Sequence, residues 1–317
     1  MNLLILGGTR FFGKLFLSRC LEEGHQVTYV SRRRLPEKEN LKCIQGERDQ
    51  VISKLDGNNF DVIVDFSGYD SATVEAVLRQ VATPHYIFVS TLWASQLIEK
   101  SRSFSAEEES YVRKKIEAEV ALENWARGRG KATILRFPII LGLNDHSGRL
   151  DYLARRVFKN SPITIDESEC NELAITFVED AANLLMQVTS LTTHNSFFKI
   201  YACSAGAIRY EKFVNLLGKA MNVRTKIIFG NHDELKRYFP KFYQVDPFWR
   251  ERPFKTKDQN AFLDFSVPIT TYGKWLQVSL KTYDPEASKL LNPDRKYDWM
   301  QAAFLEEEKK WVDDNFR

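Results

Sequence analysis

Between Leu3 and Phe137, short apolar runs alternate with stretches whose apolar residues recur at helical spacing. Leu3 to Leu6 is the first run. It breaks into Gly7-Gly8-Thr9-Arg10-Phe11-Phe12-Gly13, after which Phe16, Leu17, Cys20 and Leu21 predict a helix that Gly24 stops. Gln26 to Val30, Leu41 to Gln45, Asp61 to Asp65, Tyr86 to Ser90 and Ala132 to Phe137 read as further strands. Helices are expected over about Ser71 to Gln80 and Tyr111 to Arg127. Runs this short and this apolar fit strands buried on both faces. The repeated strand, helix, strand order predicts a parallel sheet with right-handed crossovers, hence a doubly wound α/β fold.

Beyond Asp145 the alternation weakens. Leu150 to Phe158 and Glu179 to Thr189 read as helices, and Ile163 to Ile165 and Phe197 to Ala202 as extended segments, so the chain is expected to visit a second lobe and return. From Tyr210 the segments are shorter, more aromatic and more polar, including the run from Asp246 to Lys255; a closing helix is expected over Trp299 to Asn315. The expected division is a sheet domain over 1–145, with later strands returning around 171–203, and a smaller C-terminal substrate lobe over 146–170 and 204–317.

The 44% hydrophobic content of the 317 residues suits a globular chain and argues against general disorder. Forty-five Lys and Arg against 42 Asp and Glu leave a formal charge of +3, too small and too well mixed to argue for nucleic acid on charge alone. Cys20, Cys43, Cys170 and Cys203 are scattered, with no CxxC pair and no nearby His at ligand spacing, so reduced thiols and no metal site are expected. The chain opens directly into a strand and no apolar run reaches the length of a membrane span, which points to a cytoplasmic protein.

The glycines of the first turn sit where a chain must bend tightly beneath a pyrophosphate. The helix beginning near Phe12 aims its free N–H groups and the positive end of its dipole at the same place. The stretch reads as a dinucleotide cradle in which Arg10 stands where a further glycine is usual. The second strand ends in Ser31-Arg32-Arg33-Arg34, beside the expected adenosine ribose. Guanidinium groups match phosphate in two-point contacts, so Arg32 or Arg33, helped by Arg10, favours NADP(H) over NAD unless the three arginines are only a solvated charge run. Gly68 follows the fourth strand, at a carboxyl end where open α/β sheets bind ligands.

Tyr111 and Lys115, four apart on a predicted helix, share one face. An ammonium beside a phenol favours the phenolate, so that a tyrosine exchanges protons nearer neutral pH, and the same ammonium reaches a cofactor ribose hydroxyl. Without context the two residues are a solvated pair. Thr91 ends the fifth strand on the same edge, where its hydroxyl either aligns a substrate carbonyl or satisfies loop backbone.

Taken in order, these segments resemble the extended short-chain dehydrogenase/reductase family, the NAD-dependent epimerase/dehydratases. Gly7 to Gly13 is similar to that family's nucleotide turn, Phe88-Val89-Ser90-Thr91 to its catalytic Ser/Thr strand, and Tyr111-Val112-Arg113-Lys114-Lys115 to its YxxxK helix. Leu135 to Pro138 with Gly142 to Asp145 resembles the segment passing the nicotinamide, and Thr176 to Ala182 a later helix start. The likeness covers the first two thirds of the chain. Its closest flavour is a branch with an arginine in the glycine turn, which includes chloroplast relatives that bind RNA.

The resemblance implies a Rossmann fold with Tyr111 as proton donor or acceptor, Lys115 as its pKa-lowering partner and ribose contact, and Thr91 as the aligner of the substrate oxygen. It also implies that Gly7, Thr9, Arg10, Phe11, Phe12 and Gly13 hold the pyrophosphate, that Phe66, Ser67 and Gly68 line the cofactor, and that Pro138 and Ile139 pass the nicotinamide. Leu92-Trp93 stands where dehydratases carry an Asp-Glu pair, which disfavours dehydration. Asn144 and Arg149 open the second lobe as candidate substrate contacts, and the aromatic and basic run Phe248 to Lys255 is suited to stacking a nucleobase.

The expected function is an NADP(H)-preferring oxidoreductase or epimerase acting on a nucleotide sugar or similar hydroxy/keto compound, with NAD the alternative cofactor and a homodimer in keeping with the family. The alternative is a non-catalytic redox sensor or RNA-binding scaffold of the same fold.

Overall fold

The computed structural model describes residues 1–142, 145, 148–167, 172–190, 196–231, 233, 237, 256–281 and 283. Asn144, the segment 246–255 and the closing helix expected over 299–315 lie outside them. The chain runs through β1 (Asn2–Leu6), α1 (Phe11–Glu22), β2 (Gln26–Ser31), β3 (Leu41–Gln45), α2 (Arg48–Val51), β4 (Val62–Asp65), α3 (Ser71–Gln80), β5 (His85–Thr91), α4 (Trp93–Ile98), α5 (Ala106–Arg129) and β6 (Lys131–Phe137). It continues through β7 (Ile139–Leu141), α6 (Arg149–Phe158), β8 (Ile163–Asp166), β9 (Glu172–Phe177), α7 (Val178–Ser190), β10 (Phe198–Ala202), β11 (Ala207–Arg209), α8 (Tyr210–Met221), β12 (Ile227–Gly230), β13 (Gln259–Asn260), α9 (Ala261–Asp264) and α10 (Tyr272–Leu280).

Two compact units divide these elements. The first comprises Met1–Ile140, Thr176–Ala205 and Lys255–Ile269 and holds an eight-stranded sheet in the order β13-β10-β6-β5-β4-β1-β2-β3. Every neighbouring pair in it runs parallel. This is the doubly wound Rossmann architecture that the repeated strand and helix order predicts, and its order reverses between β1 and β4, the place where such sheets take their ligands.

The alternation of side chains along β1 shows why the sheet is covered twice. Leu3 and Ile5 point into a core with Phe16, Leu17 and Cys20 of α1 and Leu184 and Leu185 of α7, whereas Leu4 and Leu6 point into another with Val74 and Val77 of α3 and Ala118 and Leu122 of α5. All four β1 side chains are fully buried. Burial of that kind stabilises by about 2 kcal/mol per side chain, so the strand carrying the glycine turn is among the most firmly held in the unit.

One excursion departs from the expected division. Residues 256–269 belong with the sheet, because Gln259 and Asn260 add β13 beside β10 and Phe262, Phe265 and Val267 pack into the α1 side of the core. The second unit comprises Leu141–Ile175, Gly206–Phe254 and Thr270–Arg317. In it β8 pairs with β12 in parallel, β9 pairs with β11 in antiparallel register, and α8 packs against α6 and α10. Trp275 of α10 and Phe213 of α8 meet there with ring centroids 5.9 Å apart.

Candidate active site

The first unit's carboxyl edge gathers most of the residues read from the sequence as a site. Gly7 and Gly8 leave β1 with φ of +80° and +70°, a backbone region that side-chain-bearing residues rarely adopt. A Cβ on Gly13 would lie 2.6 Å from the Cα of Gly8, so only glycine lets the first turn of α1 close onto the loop. The resulting cradle ends in the N–H groups at the start of α1, which fits a diphosphate. Arg10 is the N-cap residue, extended at φ −131° and exposed, with no side-chain cap bond. Phe11 sits at φ 46°, and the half-buried Phe12 packs edge-on against Phe66 with centroids 5.1 Å apart.

At the end of β2 the Thr9 and Ser31 hydroxyls are 2.9 Å apart, tying the turn to the second strand. Arg32 and Arg33 are exposed, and the Arg32 side chain lies 3.6 Å from Glu47 in a solvated pair. Such a pair contributes little and leaves the guanidinium available to an anion.

The turn after β4 is built more tightly. Asp65 is fully buried, and Arg48, brought in by α2, meets both its carboxylate oxygens at 2.8 Å. Arg48 also donates to the Ser67 hydroxyl at 3.2 Å and the Thr73 carbonyl at 3.0 Å, the Tyr86 hydroxyl donates to Asp65 at 2.6 Å, and the Ser67 amide donates to Asp65 at 2.9 Å. Burial alone would raise the Asp65 carboxyl, but the Arg48 charge and these hydrogen bonds hold it below the usual carboxylate range. Gly68 is required next to it, since a Cβ there would meet the Asp65 carboxylate and the Phe88 ring, each at 2.7 Å.

Lys115 reaches this turn from α5. It is 3% exposed, its Nζ donates to the carbonyls of Gly68 at 2.7 Å and Val89 at 3.1 Å, and it lies 4.5 Å from the Phe88 ring centroid. Burial lowers its pKa from 10.5 to about 8, against the opposing pull of Asp65 and Glu119 and with the help of Arg48. Tyr111, one turn earlier, is 39% exposed, and burial around the phenol together with Tyr69 pushes its pKa up. The spacing argument expects the Lys115 ammonium to favour the phenolate. In the structure that ammonium donates to two backbone carbonyls, and the influences on the phenol are burial and Tyr69. A cavity of about 580 Å³ beside it is lined by Tyr69, Ala106, Glu107, Ser110, Tyr111 and Lys114.

Thr91 accepts a 3.3 Å hydrogen bond from the Trp93 amide, the local backbone role of a strand-end hydroxyl, and its own proton stays free for a second partner. Its neighbour Ser90 donates to Glu119, which forms a buried two-point pair with Arg136; Arg136 continues to Ser95 at 3.2 Å and Asp258 at 3.0 Å. Sequence reading missed this network and the Arg48–Asp65 pair. The bonded partners lie 17 to 163 residues apart, so no local spacing marks them; the one signal was an aspartate closing an apolar strand at Asp65. The half-buried Pro138 links β6 to β7, the half-buried Ile139 begins β7, and Arg149 opens α6 in the second unit. Cys20 and Cys203 are buried free thiols, the former pushed up to about 12 by burial. Among the described residues there is no group of side chains that could hold a metal and no helix long and apolar enough to cross a membrane.

No protein-family model matches the chain. Over 291 residues it is 27% identical to a chloroplast stem-loop binding protein of 41 kDa from Arabidopsis thaliana, covering 82% of this chain and 71% of that one. Among solved structures it is similar to UDP-glucuronic acid 4-epimerase from Bacillus cereus in complex with UDP-glucuronic acid and NAD, with a TM-score of 0.63 at 12% identity over 89% of this chain and 98% of the other. It is similar also to UDP-glucose 4-epimerase with UDP-glucose from Thermotoga maritima, with a TM-score of 0.65 at 14% identity over 89% and 98%. An NAD-dependent NDP-hexosamine 5,6-dehydratase gives a TM-score of 0.65 at 12% identity over 90% and 99%. The structural neighbours are NAD-dependent nucleotide-sugar epimerases and dehydratases, and the chain has their fold, that of the extended short-chain dehydrogenase/reductases.

Proposed function

We propose that the protein binds a nicotinamide dinucleotide in the first unit and interconverts hydroxyl and carbonyl forms of a nucleotide sugar. The observation that supports this reading most is Lys115 of α5 reaching the Gly68 carbonyl of the turn after β4 and the Val89 carbonyl of β5, the strand that ends in Thr91 and lies in the same parallel sheet as the glycine cradle, with Tyr111 one turn earlier on the helix. The bound dinucleotide supplies a hydride donor or acceptor. The chain's own part is proton handling and orientation. In the reducing direction the substrate carbonyl carbon gains the hydride while its oxygen takes the proton of the Tyr111 phenol; oxidation is the reverse. Lys115 is assigned to a ribose hydroxyl, Thr91 to the substrate oxygen, and Asn144 and Arg149 to substrate polar groups. The Phe66, Ser67 and Gly68 turn and Pro138 and Ile139 are assigned to the walls of the cofactor site.

For the cofactor, Arg32 and Arg33 support the 2′-phosphate form, NADP(H), while the Bacillus cereus UDP-glucuronic acid 4-epimerase structure holds NAD. Calorimetric titration with NAD, NADH, NADP and NADPH, followed by turnover assays with UDP-linked hexoses and their keto forms, tests the proposal. Tyr111→Phe is expected to retain dinucleotide affinity and lose turnover by at least 100-fold. Wild-type protein that binds none of the four dinucleotides overturns it.

The likeness to a stem-loop binding protein favours a second reading, a fold of this kind turned to RNA. In that case Tyr111→Phe leaves the binding function unchanged, and a 5′-labelled RNA hairpin binds with a steep dependence on salt.

A further inference from the structure

We propose that Arg48 and Asp65 are positioning residues for Lys115: a buried brace that fixes the turn after β4, so that the Gly68 carbonyl holds the ammonium at the sheet edge. The inference rests on the functional reading above for what the ammonium does there. The geometry of the brace stands by itself.

One guanidinium touches three successive pieces of backbone architecture. Arg48 takes the end of β4 through both Asp65 oxygens, the turn through the Ser67 hydroxyl, and the first turn of α3 through the Thr73 carbonyl. Asp65 in turn fixes the Ser67 amide at 2.9 Å and lies so close to Gly68 that no Cβ fits between them. The Gly68 carbonyl, at 2.7 Å, is the nearer of the two carbonyls to which Lys115 donates. The position of the ammonium is therefore set by a loop that the brace holds from three sides.

Stability alone does not call for this pair. A buried ion pair replaced by apolar side chains of similar volume is often neutral or more stable, whereas a two-point pair fixes geometry. Here the geometry fixed is that of the turn on which Lys115 is hung. Glu119, one turn on from Lys115 along α5, belongs to a second buried pair with Arg136 of β6, whose hydrogen bonds run to Ser90, Ser95 and Asp258 and not to the turn after β4.

Side-chain 15N NMR of the ligand-free full chain tests the assignment. The Lys115 Nζ signal is identified by its loss in Lys115→Arg. Arg48→Lys keeps the charge but cannot hold Asp65, Ser67 and Thr73 together; it is expected to speed hydrogen exchange at the Lys115 ammonium at least tenfold at pH 6 and to move its resonance. Tyr86→Phe removes one contact of the same carboxylate and is expected to act in the same direction, about threefold. Thermal unfolding verifies that each variant is folded, and should Arg48→Lys fail to fold, Tyr86→Phe decides alone. An Lys115 signal with wild-type position and exchange in the folded variants overturns the proposal. Wild-type protein that binds neither NAD nor NADP overturns the functional reading instead, and the Lys115 resonance remains measurable in it.

Discussion

Lys115 is the residue on which burial acts most legibly. Its folded pKa of about 8 lies below the ordinary 10.5, so between those values the native state binds fewer protons than the unfolded chain and stability rises with pH. The penalty is present in full below pH 8, amounts to about 3 kcal/mol, and is relieved as pH climbs toward 10.5. Urea unfolding from pH 7 to pH 10 is expected to show this rise in the wild type and a flatter profile in Lys115→Met. An equal slope in both rules out Lys115 as its source. Asp65 works the other way: its carboxyl is held down, so its contribution exists above the unfolded carboxylate range and is lost as pH falls through the lower folded value. A Tyr and a Lys four apart were visible in the sequence, but not where the ammonium goes, because the Gly68 and Val89 carbonyls that take it lie 47 and 26 residues away.

At the scale of elements, the cradle depends on glycine for space as much as for backbone freedom. Gly13→Ala would drive a methyl to 2.6 Å from the Gly8 Cα, backbone that cannot yield as a side chain tip does. A loss of roughly 2–3 kcal/mol in urea unfolding is expected, as for an overpacked core, together with at least tenfold weaker dinucleotide binding by calorimetry. Retained affinity would mean that the turn is not the phosphate site. The elements around this turn were legible from their periods and breakers: the sequence places the strand Leu41 to Gln45 and the helix Ser71 to Gln80 as they are found. α5 was read too short. Its first residues, Ala106 to Ser110, look like an acidic loop, yet Ser105 and Glu108 form a capping box and the three glutamates sit favourably at the positive end of the helix. α4, with only six residues, is too short to show a helical period.

The whole molecule carries a formal charge of only +3, and this separates the two functional readings by their response to salt. An RNA hairpin held through 6–10 phosphate contacts would lose roughly 10³–10⁵ in affinity between 50 and 200 mM salt. A dinucleotide seated on backbone N–H groups and one or two arginines faces far fewer charges and loses much less. NADPH at a hundredfold excess over its Kd should stabilise the fold by about 2.7 kcal/mol, which for a chain of this size raises the melting temperature by roughly 2–4 °C. The rise is expected to persist at 200 mM salt. Arg32→Ala combined with Arg33→Ala should reduce it for NADPH, through about tenfold weaker binding, while leaving the response to NADH unchanged, since only the former has a 2′-phosphate for those guanidiniums to meet. Equal losses for both dinucleotides would assign the two arginines to the diphosphate or to solvent. Stabilisation by the hairpin at 200 mM salt, with none by any dinucleotide, would make the sheet edge a scaffold for RNA and leave Tyr111 and Lys115 as parts of its packing.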